Sequence, residues 1–363
     1  MKISWIRGSE TIDFSLPNKF FVLGLIGTAK STFLETMAEE YLFRNQAVCD
    51  IFGSRDGEGL AWLRSKWVTS GEKKVLLVHG QNVDVKCSYD TKSVSDLKLN
   101  DFDNYDLIIS STPLYITPNQ EFREVNRLLD LLYKRQSWTR LVYGITREAA
   151  NLFYSRLRVS GDQLQAKAEA VYLIRESRHM GLALGLDSLK YTSIDIDMRM
   201  LTDFQIIKSL GRFGLPDDLK WLYSFIRPEF IRKMGKNEFV IITNSGAIGI
   251  GVFQPLLWHK QQGEHILKAV DVKVEYGEVP KLGEDRRTYK TIGDEEHAEI
   301  MALYLDEKQS MAKIEKLKRR SRSTIKAQID EHDEAVTRSG FCPKCKRVNG
   351  LHTTQLSKCI IQY

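Results

Sequence analysis

The sequence has few cysteines, and they are unevenly placed. Only five occur among 363 residues, and three of these, Cys342, Cys345 and Cys359, lie within the last 22 residues. A secreted scaffold stapled by disulfide bonds carries more cysteines at more regular spacing, so this class of protein is excluded. Reduced thiols in an intracellular protein are expected instead.

Long hydrophobic runs are also missing. The longest, such as residues 20–26, have the length of a strand and fall short of the roughly 20 apolar residues that a membrane helix needs. The N-terminal segment does not have the pattern of a signal peptide. We therefore expect a soluble cytoplasmic protein without a membrane segment, in the host cytoplasm if the gene is viral or plasmid-borne.

The main part of the chain carries no surplus of either charge. Residues 306–363 contain 13 Lys and Arg against 7 Asp and Glu, which leaves 40 of each sign in residues 1–305, so the net charge of +6 lies in the C-terminal part. Between Lys316 and Ile329 there are six cations and no acid. A solvated helix face is one explanation, but a one-sided basic patch is typical of a nucleic-acid binder.

Short apolar segments alternate with longer amphipathic ones over the first 255 residues. This alternation predicts an α/β domain with a mainly parallel sheet. Apolar residues at helical spacing in residues 33–42 and 125–132 predict helices that pack on the sheet. The predicted strands are residues 20–26, 47–52, 75–79, 105–110, 140–146, 182–187 and 239–243.

A glycine-containing loop follows the first of these strands. Residues 24–32 read Gly-Leu-Ile-Gly-Thr-Ala-Lys-Ser-Thr and lead into an amphipathic segment, which is the context that a phosphate-binding loop requires. Backbone N–H groups and the helix N-terminus attract an anion, Lys30 offsets phosphate charge, and the Ser31 hydroxyl can bind Mg²⁺. The loop predicts a site for ATP with Mg²⁺. Its residues are Gly24, Gly27, Thr28, Ala29, Lys30, Ser31 and Thr32.

Three further segments follow this loop in a characteristic order. Residues 49–58 form a strand with an acidic turn, residues 141–153 a strand followed by Arg-Glu-Ala, and residues 175–187 an arginine-containing turn and another strand. Together with the loop they resemble the FtsK/HerA-like family of DNA-translocating and DNA-packaging ATPases, over about residues 18–255. The resemblance implies a RecA-like core, ATP hydrolysis between subunits of a homo-oligomeric ring, and double-stranded DNA as the partner.

Three positions depart from that family's pattern. Ala29 replaces the last glycine of the loop, Arg147 stands where the Mg²⁺-associated aspartate is expected, and Asp187 replaces a polar sensor residue. A cation beside a metal ion is unfavourable. Either Arg147 points away from the site, or Mg²⁺ binding rests on Ser31 with an acid from elsewhere, for which Asp187 is the candidate.

The resemblance also implies a catalytic set of Lys30, Glu148 and Arg178. Glu148 matches the glutamate that orients and deprotonates the attacking water, and the alternative is an ordinary glutamate in the first turn of a helix. Arg178 is the candidate for a residue that reaches the nucleotide of a neighbouring subunit. Its alternative is a surface salt bridge.

The basic C-terminal segment has the spacing of three short helices over residues 294–336. Apolar residues recur at 300, 303 and 304, at 311, 314 and 317, and at 325 and 329. The segment resembles the helix-turn-helix of sigma-like and resolvase-like DNA binders, and a charged coiled coil for subunit contact is the alternative. The candidate DNA-contacting residues are Lys318, Arg319, Arg320, Arg322, Ser323, Thr324, Lys326 and Gln328.

The last cysteines have the spacing of metal ligands. Cys342 and Cys345 form a C-x2-C pair, and His352 and Cys359 follow at intervals of six residues. A segment this short cannot fold on hydrophobic burial alone. One Zn²⁺ bound by these four residues is therefore expected, with reduced free cysteines as the alternative.

These observations predict four regions: a RecA-like P-loop domain over residues 1–274, a linker over 275–293, a helix-turn-helix module over 294–336 and a zinc-binding tail over 337–363. The expected function is that of a DNA-dependent ATPase of the translocase or packaging type. The alternative is a nucleotide-responsive DNA-binding protein whose core hydrolyses ATP poorly, which Ala29, Arg147 and Asp187 favour.

Overall fold

A computed structural model of the chain describes residues 1–52, 56–134, 139–150, 174–194, 196–261, 263–278, 292–318, 320 and 322–348. The chain divides into two compact units, over residues 1–279 and 280–363. The described strands, all in the first unit, are β1 (Lys2–Arg7), β2 (Lys19–Leu23), β3 (Ala47–Phe52), β4 (Val75–His79), β5 (Val83–Lys86), β6 (Asp90–Ser93), β7 (Leu107–Ile109), β8 (Val142–Thr146), β9 (Leu182–Ser188), β10 (Phe204–Ile207), β11 (Glu238–Thr243), β12 (Ile248–Val252) and β13 (Lys273–Tyr276).

Eleven of these strands form one sheet, in the order β1-β12-β11-β10-β2-β9-β8-β3-β7-β4-β6. Every neighbouring pair from β10 to β6 is parallel, whereas β11, β12 and β1 extend one edge in antiparallel fashion. Strands β13 and β5 pair separately. The strand that precedes the loop, β2, thus has β9, β8 and β3 beside it in that order, the arrangement of a RecA-like core.

Helices cover both faces of this sheet. The described helices of the first unit are α1 (Lys30–Phe43), α2 (Lys66–Thr69), α3 (Asp101–Asn104), α4 (Pro118–Tyr133), α5 (Ile196–Met200), α6 (Pro228–Lys233) and α7 (Ile266–Ala269), with 3₁₀ segments at Glu58–Arg64, Val94–Asp96, Thr112–Leu114, Tyr191–Ser193, Gly211–Phe213 and Asp217–Ser224. Because strand residues alternate between faces, Phe20 and Val22 join the core on the α1 side and Phe21 and Leu23 the core on the α4 side.

The predicted fold class, an α/β RecA-like P-loop core with a mainly parallel sheet, is confirmed. All seven predicted strands are present, with ends shifted by a few residues. The prediction missed β12 because it contains Gly249 and Gly251, which weaken a strand signal. Gly251 is needed there, since a Cβ would lie 2.1 Å from the Phe239 ring.

The second unit contains α8 (Asp294–Met301), a π-helical turn (Ala302–Asp306), α9 (Met311–Lys318) and α10 (Arg322–Ser339). Among the described residues of this unit, the buried core consists of Ile300, Met301, Ile314, Ile325 and Ile329. Of the apolar residues at helical spacing on α9, Ile314 joins this core, whereas Leu317, in the last turn, is 56% exposed.

The region boundaries differ from the prediction in two places. Glu275 and Tyr276, predicted as linker, lie in β13 and pair with β5. Helix α10 runs past residue 336, and Cys345 packs against the helical core, so the described part of the predicted tail belongs to the helical unit. Within the described residues, no helix is both long enough and apolar enough to cross a membrane.

Candidate nucleotide-binding site

The loop between β2 and α1 has the backbone geometry of a phosphate-binding loop. Gly27 and Ala29 both have positive φ, at 74° and 60°. Ala29 therefore adopts the left-handed conformation that glycine would adopt freely, so its methyl group strains the loop without unwinding it. Gly24 permits a close approach, because a Cβ there would lie 2.6 Å from both Lys208 Cβ and Thr28 Oγ1.

Lys30 lies at the N-terminus of α1 and folds back over the loop. Its Nζ donates a hydrogen bond to the Leu25 carbonyl oxygen at 3.1 Å, and the side chain is largely buried. Burial lowers the pKa of Lys30, and the nearby carboxylates of Asp187, Glu148 and Glu58 oppose this shift. An ammonium group so placed is ready to exchange the carbonyl for a phosphate oxygen.

The next residues of the loop begin α1. The Ser31 hydroxyl donates a hydrogen bond to the Glu58 carboxylate, and Thr32 is buried. The Thr28 Oγ1 hydroxyl donates to the Leu25 carbonyl at 2.7 Å. Ser31 and Glu58 are oxygen ligands of the kind that Mg²⁺ prefers.

Arg147 follows β8 and points into a buried group of carboxylates. Its guanidinium pairs with Asp50, with Glu35 at 2.8 Å and with Glu58 at 3.1 Å, and its side chain is only 1% exposed. The Trp62 indole N–H also donates to Asp50 at 2.9 Å. The sequence left open whether Arg147 points away from the metal position. The structure places its guanidinium against Asp50, Glu35 and Glu58, and Glu58 also accepts a hydrogen bond from Ser31.

His259 completes this ion network from a distant part of the chain. Its Nδ1 lies 2.6 Å from Glu35 and its Nε2 lies 3.1 Å from Glu58. Burial disfavours the imidazolium, but the two carboxylates raise the pKa of His259 to about 9. Burial likewise opposes ionisation of Glu58, but Arg147 and His259 lower the pKa of Glu58 to about 2.

Asp187 and Glu148 also lie near Lys30. Asp187, at the carboxyl end of β9, accepts a hydrogen bond from the backbone N–H of Glu148. Burial raises the pKa of Asp187 to about 6, and the Lys30 charge opposes that rise. Glu148 is exposed and has a positive φ of 45°, and Asp187 holds it in this turn after β8.

A cavity of about 550 Å³ opens at the same edge of the sheet as the loop. Leu23 and Leu25, at the start of the loop, form part of its wall, together with Leu210, Phe213 and Leu215. Its mostly apolar lining and its size are those of a small-ligand pocket.

The structure does not bring Arg178 to the loop. Arg178 precedes β9, whereas the loop follows β2, and these two strands run parallel, so the two features lie at opposite edges of the sheet. Its guanidinium pairs with Asp203 at 2.9 Å. A contact with the nucleotide of a neighbouring subunit stays a prediction.

The predicted DNA-contacting residues are only partly accessible for that role. Lys318 pairs with Glu299, Arg320 pairs with Glu296 at 2.7 Å, and the Gln328 Oε1 lies 2.8 Å from His297 Nδ1. All three partners lie on α8. The sequence did not predict that α8 would contact these residues. Lys326 is exposed on α10 and Thr324 is half-buried. Arg319 and the side chains of Arg322 and Ser323 lie outside the described residues.

Two of the four predicted zinc ligands are described, and they have unexpected neighbours. Cys342 and Cys345 lie beside His297 and His332. His352 and Cys359 lie outside the described residues. The pairing of His297 with a cysteine 45 positions later could not be deduced from the spacing of the last residues alone.

No family model matches this sequence, and neither does any curated protein. Among solved structures, the chain is similar to the genome packaging NTPase B204 from Sulfolobus turreted icosahedral virus 2 in complex with ATP-gammaS, with 18% identity, a TM-score of 0.41, and coverage of 66% of this chain and 98% of that chain. It is also similar to the pCW3 conjugation coupling protein TcpA with ATPgS, with 12% identity, a TM-score of 0.37, and coverage of 69% and 65%. For the cytoplasmic domain of the Thermomonospora curvata type VII secretion ATPase EccC, identity is 10%, the TM-score 0.38 and coverage 68% and 25%. The chemistry of the site therefore has to follow from its own residues.

Proposed function

We propose that the first unit binds ATP at residues 24–32 and hydrolyses it with Mg²⁺. The observation that carries this proposal is the position of Lys30, at a loop of phosphate-binding geometry and among the carboxylates of Asp187, Glu148 and Glu58. Phosphoryl transfer needs a cation on the transferred phosphate, a metal ion and an oriented water. One edge of this sheet carries side chains suited to all three.

Each residue has a distinct role in this proposal. Lys30 contacts the terminal phosphates, and Ser31 and Asp187 hold Mg²⁺. Glu148, exposed at the end of β8, orients the attacking water and accepts its proton. Arg147 takes no part in the reaction, because its charge is offset by Asp50 and Glu35 inside the core.

For the second unit we propose a role in contacting duplex DNA during translocation or packaging. Residues 306–363 carry 13 cations against 7 acids, which accounts for the whole net charge of +6. Lys316 and Lys326 are exposed on α9 and α10, where a duplex can reach them. A ring of several copies is the arrangement expected of such a motor, and the resemblance to FtsK/HerA-like ATPases supports it.

The test is an ATP-binding and turnover assay, with and without duplex DNA, on Lys30→Ala and the matched surface variant Lys233→Ala. Removal of a charge-assisted bond to phosphate should weaken ATP binding about tenfold or more in Lys30→Ala, while Lys233→Ala should match the wild type. DNA should stimulate wild-type turnover. Unchanged ATP affinity in folded Lys30→Ala would reject the nucleotide site.

A second candidate function follows from Arg147. An arginine in place of the metal-associated aspartate leaves Asp187 as the only acid described on β8 or β9 that interacts with Lys30 from a buried position. A protein so built can bind ATP tightly yet hydrolyse it slowly and use the nucleotide to control DNA binding. Tight ATP binding with no turnover, and DNA affinity that changes with ATP, would favour this function over the motor.

A further inference from the structure

Four side chains with metal-binding atoms converge in the second unit. His297 lies on α8, His332 on α10, and Cys342 and Cys345 in the segment after α10. One nitrogen or sulfur atom from each lies within 4.8 Å of every other. The chain thus brings together donors that are up to 48 positions apart, from His297 to Cys345.

The distances fit a tetrahedral ion. His297 Nε2 lies 3.4 Å from the Cys342 sulfur, and His332 Nδ1 lies 3.3 Å from the Cys345 sulfur. Around Zn²⁺, with bonds of about 2.3 Å to sulfur and 2.0–2.1 Å to nitrogen, tetrahedral ligands of these two kinds are about 3.5 Å apart. These two nitrogen–sulfur distances therefore match those of a filled site, and no two of the four atoms are more than 4.8 Å apart.

The surroundings orient these ligands. His297 and His332 are fully buried and Cys342 is 1% exposed, so without an ion their polar atoms would face one another in a dry interior. The other ring nitrogen of His297 lies 2.8 Å from Gln328 Oε1, which selects the tautomer that leaves Nε2 free for a metal. The Arg347 backbone N–H donates to the Cys345 sulfur, as in a zinc knuckle.

We propose that His297, His332, Cys342 and Cys345 bind one Zn²⁺, in place of the set with His352 and Cys359 that the sequence suggests. Two thiolates and two imidazoles in tetrahedral arrangement select zinc over harder cations. Four protein ligands leave no open position, so the ion is structural and holds the Cys-x2-Cys turn to α8 and α10. The core formed by the described residues has five buried members, and a core of that size benefits from such support.

The first experiment uses the full wild-type chain, purified without added metal. We expect about one zinc per chain by elemental analysis. Exchange for Co²⁺ should give the visible d–d bands of a tetrahedral site and thiolate charge-transfer absorption from two sulfurs. A metal-free folded protein, or a cobalt spectrum of six-coordinate type, would overturn the proposal without the need for any variant.

Variants then decide which ligand set is correct. The pair His297→Ala and His332→Ala should lower the zinc content to near zero, whereas the pair His352→Ala and Cys359→Ser should retain one zinc per chain. The opposite result would assign the ion to the last residues and reject the inferred site.

Gln328→Leu keeps all four ligands but loses the oxygen that selects the His297 tautomer. This variant should therefore bind Zn²⁺ roughly tenfold more weakly while retaining the two-sulfur cobalt spectrum. Unchanged affinity would remove Gln328 as a positioning residue and contradict the inferred tautomer.

Discussion

Glu148 and Asp187 are joined by a hydrogen bond, yet conservative substitutions should separate their roles. Glu148→Gln keeps the shape of the side chain but removes the base, so kcat for ATP should fall by about 10² or more while ATP affinity persists. Asp187→Asn should instead weaken Mg²⁺-dependent ATP binding, because a metal ligand loses its charge.

The matched control for these two variants is Glu229→Gln, an exposed glutamate on α6 of the same unit. Its kcat and ATP affinity should equal those of the wild type. Turnover at the wild-type rate in Glu148→Gln would mean that another carboxylate near Lys30 is the catalytic base. Asp187 and Glu58 would then be the next residues to test.

The ion pairs of His259 predict that the stability of the first unit depends on pH. Because its folded pKa of about 9 lies above the usual 6.5, its contribution is complete below pH 6.5 and is lost as pH rises through 9. The pKa difference corresponds to about 3 kcal/mol in the free energy of unfolding. Denaturant titrations between pH 6 and 10 should show this loss in the wild type and a flatter dependence in His259→Gln.

Substitution of the exposed His265 by Gln provides the comparison for that titration. It should leave the pH dependence of the wild type intact. An equally steep loss of stability in His259→Gln would mean that another group titrates in this range, and the ion pairs of His259 with Glu35 and Glu58 would not account for it.

At this scale the sequence predicted the loop but not the ion network. The loop residues are consecutive, so their chemistry is visible as a motif. Glu35 and His259 are 224 positions apart, and no local pattern marks them as partners. Arg147 is the one signal that was visible in advance, since a cation at a position where an acid is expected calls for carboxylates nearby.

Among the elements, the turn into α1 carries a testable strain. Ala29 has a φ of 60°, so Ala29→Gly should relieve the clash of the methyl group and leave the free energy of unfolding unchanged or raise it by up to about 1 kcal/mol. Ala38→Gly, in the middle of the same helix, should lower it by about 1 kcal/mol or more. Equal losses for both variants in denaturant unfolding would show that Ala29 is not strained.

The cavity beside the loop predicts that the loop binds the phosphates of ATP and that Gly211–Phe213 contacts its adenine base. Phe213 lines the cavity and is 69% exposed, so Phe213→Ala should not disturb the core. If the cavity binds the adenine base of ATP, this variant should weaken ATP binding several-fold but leave pyrophosphate affinity unchanged. Isothermal titration calorimetry with both ligands measures the two affinities. Equal changes in both would show that the adenine base does not bind in the cavity.

The elements themselves were predictable where burial is two-sided. Strands β3 and β4 have the predicted bounds, because continuous apolar runs mark a strand covered on both faces. Strand β10 has only four residues and lies before an antiparallel edge, so its signal merges with the surrounding loops. Of the antiparallel edge, β11 was predicted, whereas β12 and β1 were missed.

For the whole molecule, the location of charge predicts where DNA binds. A chain ending at Gly293 should keep its α/β fold and ATP affinity, since the helical unit has its own core. It should lose most of its affinity for duplex DNA and most of the salt dependence of that affinity. Fluorescence anisotropy at several salt concentrations measures both, and full-strength, equally salt-sensitive binding by the shortened chain would place the DNA surface in the first unit.

Within the helical unit, the ion pairs predict which cations matter. Lys318 and Arg320 are already paired with Glu299 and Glu296, whereas Lys316 and Lys326 are exposed. The double variant Lys316→Ala and Lys326→Ala should therefore weaken DNA binding more than Lys318→Ala with Arg320→Ala. Removing one phosphate-binding cation should flatten the slope of log K against log salt by about 0.9. The reverse ranking would mean that DNA displaces the acidic partners.

The burial of Arg147 also constrains how the site can change during evolution. Replacing it by aspartate would add a fourth carboxylate to Glu35, Asp50 and Glu58 with only His259 left to offset them. That single step is strongly destabilising, because buried charges of one sign repel and lack compensation. The arginine and its acids therefore depend on one another, and an acid at position 147 would be tolerated only after Glu35 or Asp50 had first been replaced by a neutral residue.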